Sequence, residues 1–207
     1  MKLTVISDTH GEHEKLGRLS GDVLIHCGDM FNMFSPRSDE LERMDDWFGR
    51  QDFDLILCVG GNHDSALQNA IKSSEHPFEN ASVLQDKTHV HDGITFFGAP
   101  WVPMLSSHAF YCGADELEEK WSFIHESTDV LITHTPPNGV LDVSSAGLRL
   151  GCSYLAKRVR DITPRIHCFG HVHASAGTVH ADGTTFVNAS MVNSQYELAR
   201  GPYELEI

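Results

Sequence analysis

Residues 55–64 read Leu55-Ile56-Leu57-Cys58-Val59-Gly60-Gly61-Asn62-His63-Asp64. Five apolar residues in a row are the pattern of a strand buried on both faces. The two glycines then permit a turn too sharp for a side chain. An amide, an imidazole and a carboxylate follow. An amide oxygen can ligate a metal, an imidazole can carry a proton, and a carboxylate can orient that imidazole.

Working outward, the N-terminal side repeats the arrangement. Residues 3–6 form a β-branched strand that exits into Ser7-Asp8-Thr9-His10-Gly11. A short helix is expected over 12–20, then a strand over 22–27 closed by Gly28-Asp29. Residues 30–37 read as a loop with a turn at Pro36. Helical spacing of Leu41, Met44, Trp47 and Phe48 places a helix over 38–50, with Ser38 as its N-cap.

On the C-terminal side a helix is expected over 65–71. Short antiparallel strands are expected at 83–84, 88–91 and 94–97, the last two joined by the hairpin turn Asp92-Gly93. An irregular, aromatic-rich loop spans 98–103. Leu117, Trp121 and Ile124 share one face of a helix over 115–125. A strand at 130–133 meets His134, and Pro136-Pro137-Asn138-Gly139 ends regular structure. Cys152, Leu155, Val159 and Ile162 mark another amphipathic helix. A strand at 165–169 ends in Gly170-His171-Val172-His173. A hairpin around Asp182-Gly183 and a closing strand at 203–207 complete the chain. Strand–helix alternation with later hairpins implies an α/β sandwich of mixed sheets. No repeat, low-complexity tract or linker divides residues 1–207, so one domain is expected.

The formal net charge is −14, which argues against a large nucleic-acid partner, because that footprint needs a basic face. It leaves a small anionic substrate open, since bound cations can invert the field locally. The five cysteines include no C-x-x-C pair, and Cys27, Cys58 and Cys168 sit in apolar runs. A reduced, cytoplasmic protein without disulfides is expected. No apolar run reaches membrane-span length, so no membrane partner is expected. Met1-Lys2 leads straight into the first strand, and Asp8 arrives at once, so no cleaved signal is expected either.

Asp8, Asp29, Asn62, His134 and His171 each fall just past the carboxyl end of an expected strand. Open α/β sheets place their sites there. The full set is Asp8-x-His10, Gly28-Asp29, Asn62-His63, His134 and His171-x-His173. None of these pieces is specific alone. Together and in this order they resemble the calcineurin-like metallophosphoesterase superfamily over most of the chain. Gly98-Ala99-Pro100-Trp101, Thr133-His134 with Pro136-Pro137, Arg158-Val159-Arg160 and Val187-Asn188-Ala189-Ser190 resemble its metallophosphoesterase-domain-containing branch. Some members of that branch lack the first histidine of the last motif; this chain keeps it as His171.

The resemblance implies a sandwich of two mixed β-sheets flanked by helices and a dinuclear centre. Asp8, His10 and His173 would hold one divalent ion, Asn62, His134 and His171 the other, with Asp29 bridging. Oxygen and imidazole donors without thiolate suit Mn, Fe, Zn, Co or Ni. Two such ions, two carboxylates and a hydroxide sum to +1, which a singly charged phosphodiester neutralises. Ions roughly 3.5–4 Å apart can activate water and clamp phosphoryl oxygens. His63 would supply the proton or positive charge the leaving group needs, with Asp64 orienting it, capping the next helix, or both.

A phosphodiesterase for small nucleotides, cyclic ones included, is the leading expectation. A nuclease, a phosphomonoesterase or a protein phosphatase is the alternative. Asp29-Met30-Phe31-Asn32 lacks the acidic–arginine continuation of serine/threonine phosphatases, and the charge disfavours a nuclease. A scaffold with vestigial catalysis is the reading from another class, opposed by the complete ligand set and His63. His26 and His167 are expected in packing or supporting hydrogen bonds. Lys157, Arg158, Arg160 and Arg165 read as a solvated basic face. The stretch from Trp101 to Tyr111 is expected to wall the pocket with aromatic surface.

Overall fold

The structure is a computed structural model that describes residues 1–32 and 34–207. Met33, inside the loop expected over 30–37, lies outside the described residues.

Four short strands repeat one logic. In β1 (Lys2–Ile6), β2 (Val23–His26), β3 (Leu55–Cys58) and β7 (Val130–Thr133), side chains on both faces are buried. Alternate residues must then meet two different layers. Leu3, Val5, Val23, Ile25 and Leu57 pack on Phe96, Val130, Ile132 and Cys168 in a core between two sheets. Ile6, Leu24, Ile56 and Cys58 point the other way, onto α1 (Glu40–Gly49) and α2 (Ser65–Lys72) through Met44, Trp47, Phe48 and Leu67. Leu131, Phe169 and Phe186 meet α3 (Ala114–Ser122) and α4 (Ser153–Ile162) in a third cluster. The layers run helix, sheet, sheet, helix, as the sequence pattern requires.

The first sheet has the order β11-β1-β2-β3-β4, where β4 is Ser82–Val83 and β11 is Tyr203–Glu206. The second has the order β5-β6-β7-β8-β10-β9. It comprises Lys87–His91, Ile94–Ala99, Val130–Thr133, Ile166–Phe169, Thr184–Asn188 and Gly177–Ala181 respectively. β1, β2 and β3 are parallel, and so are β6, β7 and β8. Parallel neighbours put their carboxyl ends on one edge, so the loops after β1, β2, β3, β7 and β8 can share a site.

Several local expectations are corrected. The helix over 12–20 is one 3-10 turn, His13–Leu16, which Gly17 leaves at φ +69°. Asp39, not Ser38, precedes α1, and its carboxylate bonds Arg37 instead of the helix N–H groups. β4 is not antiparallel to its successors: it pairs parallel with β3, in the other sheet. Gly98 and Ala99 are the end of β6 and not an irregular loop. The two hairpins at Asp92-Gly93 and Asp182-Gly183 form as expected, both aspartates adopting positive φ. All five cysteines are free and buried. Among the described residues no helix is long and apolar enough to cross a membrane.

Candidate metal centre

The loop after β1 is stitched to the loop after β2 by main-chain bonds: Asp8 N–H to Gly28 carbonyl (2.9 Å), His10 N–H to Asp29 carbonyl (3.0 Å) and Gly11 N–H to Met30 carbonyl (2.8 Å). The third loop joins through His63 N–H, which donates to Asp29 Oδ1 at 2.8 Å. The loop after β8 joins through His171 N–H, which reaches both oxygens of Asp8 at 3.1 and 3.0 Å. Asp8, His10, Asp29 and His171 all sit in the left-handed region, at φ +52°, +45°, +54° and +69°. Asp and His tolerate that region better than most residues, and such strain gathers where a site demands it.

Three groups of ligand-type atoms result: Asp8 with His10 and His173, His10 with Asp29 and His63, and Asp29 with His134 and His171. Asn62 joins the last, its Oδ1 lying 3.1 Å from His134 Nε2. All seven candidate ligands read from the sequence therefore converge, and Asp29 faces both ends. His63 stands beside them, its Nε2 3.8 Å from Asp29 Oδ2. No cysteine sulfur belongs to these groups.

The tautomers say what the arrangement needs. His134 Nδ1 donates to the Cys27 carbonyl at 2.8 Å, and His173 Nδ1 to the Asn193 carbonyl at 3.2 Å. Each Nε2 is then left with a lone pair. Yet His134 Nε2 faces two acceptors, Asn62 Oδ1 at 3.1 Å and Asp29 Oδ1 at 3.4 Å. His173 Nε2 faces Asp8 Oδ1 and His10 Nε2, each at 3.3 Å. Lone pairs aimed at lone pairs in a buried pocket call for a cation between them. Protons can fill the role. Burial pulls the His134 imidazole down, but the Asp29 charge overrides it and raises it to about 9. Burial likewise opposes, and Asp8 overrides, at His173, which is raised. Burial pushes the Asp29 carboxyl up, and His134 reverses that to hold it low. The donor set thus fits divalent metals.

A family model for calcineurin-like phosphoesterases matches residues 1–175. The chain belongs to the calcineurin-like phosphoesterases. A calcineurin-like phosphoesterase uses divalent metals on phosphoesters, and the donors above suit that chemistry. UPF0046 protein K07C11.7 of Caenorhabditis elegans is 34% identical over 98% of this chain and 73% of its own length. Human metallophosphoesterase domain-containing protein 1 is 32% identical over 100% of this chain and 71% of its own. The solved structure of phosphopantetheinyl hydrolase from Mycobacterium tuberculosis shares the fold, with a TM-score of 0.61 at 16% identity over 94% of this chain and 90% of that one.

Asp64 takes the N-cap position of α2, as expected, but its side chain is used elsewhere. Its Oδ1 accepts from Met30 and Phe31 N–H (2.8 and 3.1 Å) and its Oδ2 from Gly61 N–H (2.8 Å). Among the described residues its side chain makes no bond to His63 Nδ1 and no capping bond to α2. It clamps two site loops together. Burial and the Asp29 charge push its carboxyl up to about 8, against the pull of the Gly61 and Phe31 N–H groups. Among the described residues His63 Nδ1 has no partner, and its ring packs against that of His10 at 4.6 Å. Burial lowers its pKa, which Asp29 partly offsets.

His26 and His167 are supporting residues, as expected. Gly28 N–H donates to His26 Nδ1 at 3.2 Å, so His26 Nε2 donates to Thr9 Oγ1 at 3.0 Å. Thr133 gives its proton to the Thr135 carbonyl, so His167 Nε2 donates to Thr133 Oγ1 at 2.9 Å. Beside the site lies a cavity of about 340 Å³. The loop after β6 lines it with Leu105 and His108, not with its aromatics. Trp101 is turned away, bonding Asp86 at 2.6 Å beneath Lys120, and Phe110 packs into the core. A larger cavity, about 720 Å³, opens beside β4 over Ile71, Phe78 and Val83, but none of the three ligand-type groups lies there.

Sequence reasoning missed Ser190, whose hydroxyl bonds Asp8, and Tyr196, whose ring packs on three site histidines. Asn188-Ala189-Ser190 was visible as part of a motif. Tyr196 carried no signal at all.

Proposed function

We propose that this calcineurin-like phosphoesterase is a phosphodiesterase for small organic phosphodiesters, nucleotides and cyclic nucleotides among them. Asp8, His10 and His173 would hold one divalent ion and Asn62, His134 and His171 a second, with Asp29 available to both. Bound there, the ions supply an activated water and neutralise phosphoryl charge. The chain's own residues do the rest. Cys27 and Asn193 carbonyls hold His134 and His173 in the tautomer that offers Nε2. Asp64 keeps the Met30 and Gly61 loops in register, so Asn62 and His63 face Asp29. His63, at the cavity wall, gives a proton or positive charge to the departing alkoxide.

The observation that carries this reading is the pair of facing acceptor sets that share Asp29, with the His63 imidazole beside them at the cavity wall. A diester has one charge for the site to neutralise and a poor leaving group for His63 to protonate. The test is a substrate panel with metal-loaded protein. Bis-p-nitrophenyl phosphate and cyclic nucleotides should turn over faster than p-nitrophenyl phosphate, a phosphopeptide or single-stranded DNA. Turnover confined to the monoesters, or to the DNA, would overturn it.

A further inference from the structure

Tyr196 sits with its ring centroid 4.8 Å from His10, 5.2 Å from His173 and 5.9 Å from His63. Its plane is nearly perpendicular to the first two rings, at 78° and 89°. It lines the 340 Å³ cavity and is 39% exposed. Part of the ring therefore packs on the site while part faces the space a substrate would fill. Phe34 stands next to it, 5.4 Å away between centroids and 6.0 Å from His63. Phe34 does not line the cavity itself, but it is 70% exposed, an apolar ring left in water beside two residues that do. Two such rings offer area that a planar ligand could cover.

The backbone carries a second, independent sign. Tyr196 has φ +63°, an outlier for a bulky side chain. The loop 193–197 holds it there. Asn193 Oδ1 accepts from Gln195 and Glu197 N–H at 2.9 and 3.1 Å, and the Asn193 carbonyl accepts Tyr196 N–H at 3.0 Å. That same carbonyl accepts His173 Nδ1. One loop thus both sets a candidate ligand's tautomer and presents an aromatic ring beside it. Strain sustained by surrounding bonds points towards a role for the strained residue.

We infer that Tyr196, with Phe34 beside it, determines specificity by taking the planar ring of the substrate's organic group. The class of ligand is a phosphate ester carrying a nucleobase or similar aromatic ring. The inference rests on the phosphodiesterase reading above and names the group its ester carries. Every nucleobase has a π-face, so stacking on an aromatic side chain selects for a ring without reading which base it is. The phosphate lies over Asp29 and the ring lies against Tyr196.

The test uses the metal-loaded full chain and two substrates that share one reacting centre. These are adenosine 2′,3′-cyclic phosphate and its abasic counterpart, 1-O-methylribose 2′,3′-cyclic phosphate. The wild type should prefer the adenosine ester. Tyr196→Ala should raise its KM about tenfold or more, the scale of one lost base stack, and erode the preference. Tyr196→Phe should keep the preference, because the ring and not the hydroxyl acts. Phe34→Ala should move it the same way by less. Equal loss of kcat/KM on both esters in Tyr196→Ala, or a wild type without preference, would overturn the inference. Metal content and melting temperature show that each variant is folded. If neither ester is hydrolysed, the phosphodiesterase reading fails by itself. The ring site is then decided by calorimetry with adenosine monophosphate and ribose 5-phosphate: a preference for the former that Tyr196→Ala abolishes supports it, and equal affinities overturn it.

Discussion

Ser190 Oγ lies 2.7 Å from Asp8 Oδ2, across 182 residues of sequence. Its single proton has a second acceptor, Asn188 Oδ1 at 2.9 Å, but the ionised carboxylate is the stronger one. Asn188 is itself fixed, its amide donating to the carbonyls of Leu141 and Val172. All three side chains are fully buried. Ser190→Ala should lower metal affinity about 10–100-fold, as loss of a ligand's supporting bond does elsewhere. Competition with a chelating dye measures it. Unchanged affinity would deny Ser190 a positioning role.

His63→Ala should reduce kcat about 10²–10⁴-fold on an alkyl diester while metal content stays at the wild-type level. The loss should shrink on p-nitrophenyl diesters, whose leaving group needs no proton. Metal analysis alongside kinetics separates this from damage to the centre.

Asp64→Asn should act on the fold more than on proton transfer. The amide would turn an NH2 group towards main-chain N–H donors that now meet a carboxyl oxygen. A loss of about 1–3 kcal/mol in unfolding free energy is expected from that unmet pairing. The shape of the pH–rate profile should persist, because among the described residues Asp64 makes no hydrogen bond to His63 Nδ1. A profile whose acidic limb moves would restore the orienting role.

Metal removal should destabilise the protein. Facing acceptors that a cation joins must otherwise hold protons or repel. A divalent ion at a hundred times its Kd adds about 2.7 kcal/mol through binding to the folded state alone. Thermal melts of chelator-treated protein, with Mn, Fe, Zn, Co or Ni restored, report it. A melting temperature that none of them raises would count against the centre.

His26 and His167 should make the fold acid-sensitive without any metal. Burial lowers both to about 3. The unfolded chain takes up their protons below about pH 6.5, while the folded chain does not. Stability should therefore fall by about 1.4 kcal/mol per pH unit for each, from pH 6.5 down towards 3. Denaturant titrations at pH 7 and pH 5 in chelator should differ by about 2 kcal/mol per histidine. His167→Asn should remove one of these contributions and flatten the slope; an unaltered slope would mean the ring is charged in the fold.

The strands were legible because burial on both faces writes itself as unbroken apolar runs, and the glycines that follow mark where the chain turns. Ligand-type residues at those turns were equally legible, since a parallel sheet puts successive carboxyl ends on one edge. The assignment of Ser82–Val83 to the first sheet was not legible, because two residues hold no pattern that selects a neighbour. The 12–20 segment kept only one 3-10 turn, with Gly17 at positive φ after it.

The sequence alone thus determined the layered α/β class, the strand ends and the residues offered there, because apolar periodicity and turn chemistry are local properties. Only the tertiary structure decided which donors face each other across Asp29, that Asp64 spends its oxygens on Met30, Phe31 and Gly61, and that Tyr196 lies against His10 and His173. Those distances follow from how two sheets pack and how their loops bond, and no local propensity encodes them.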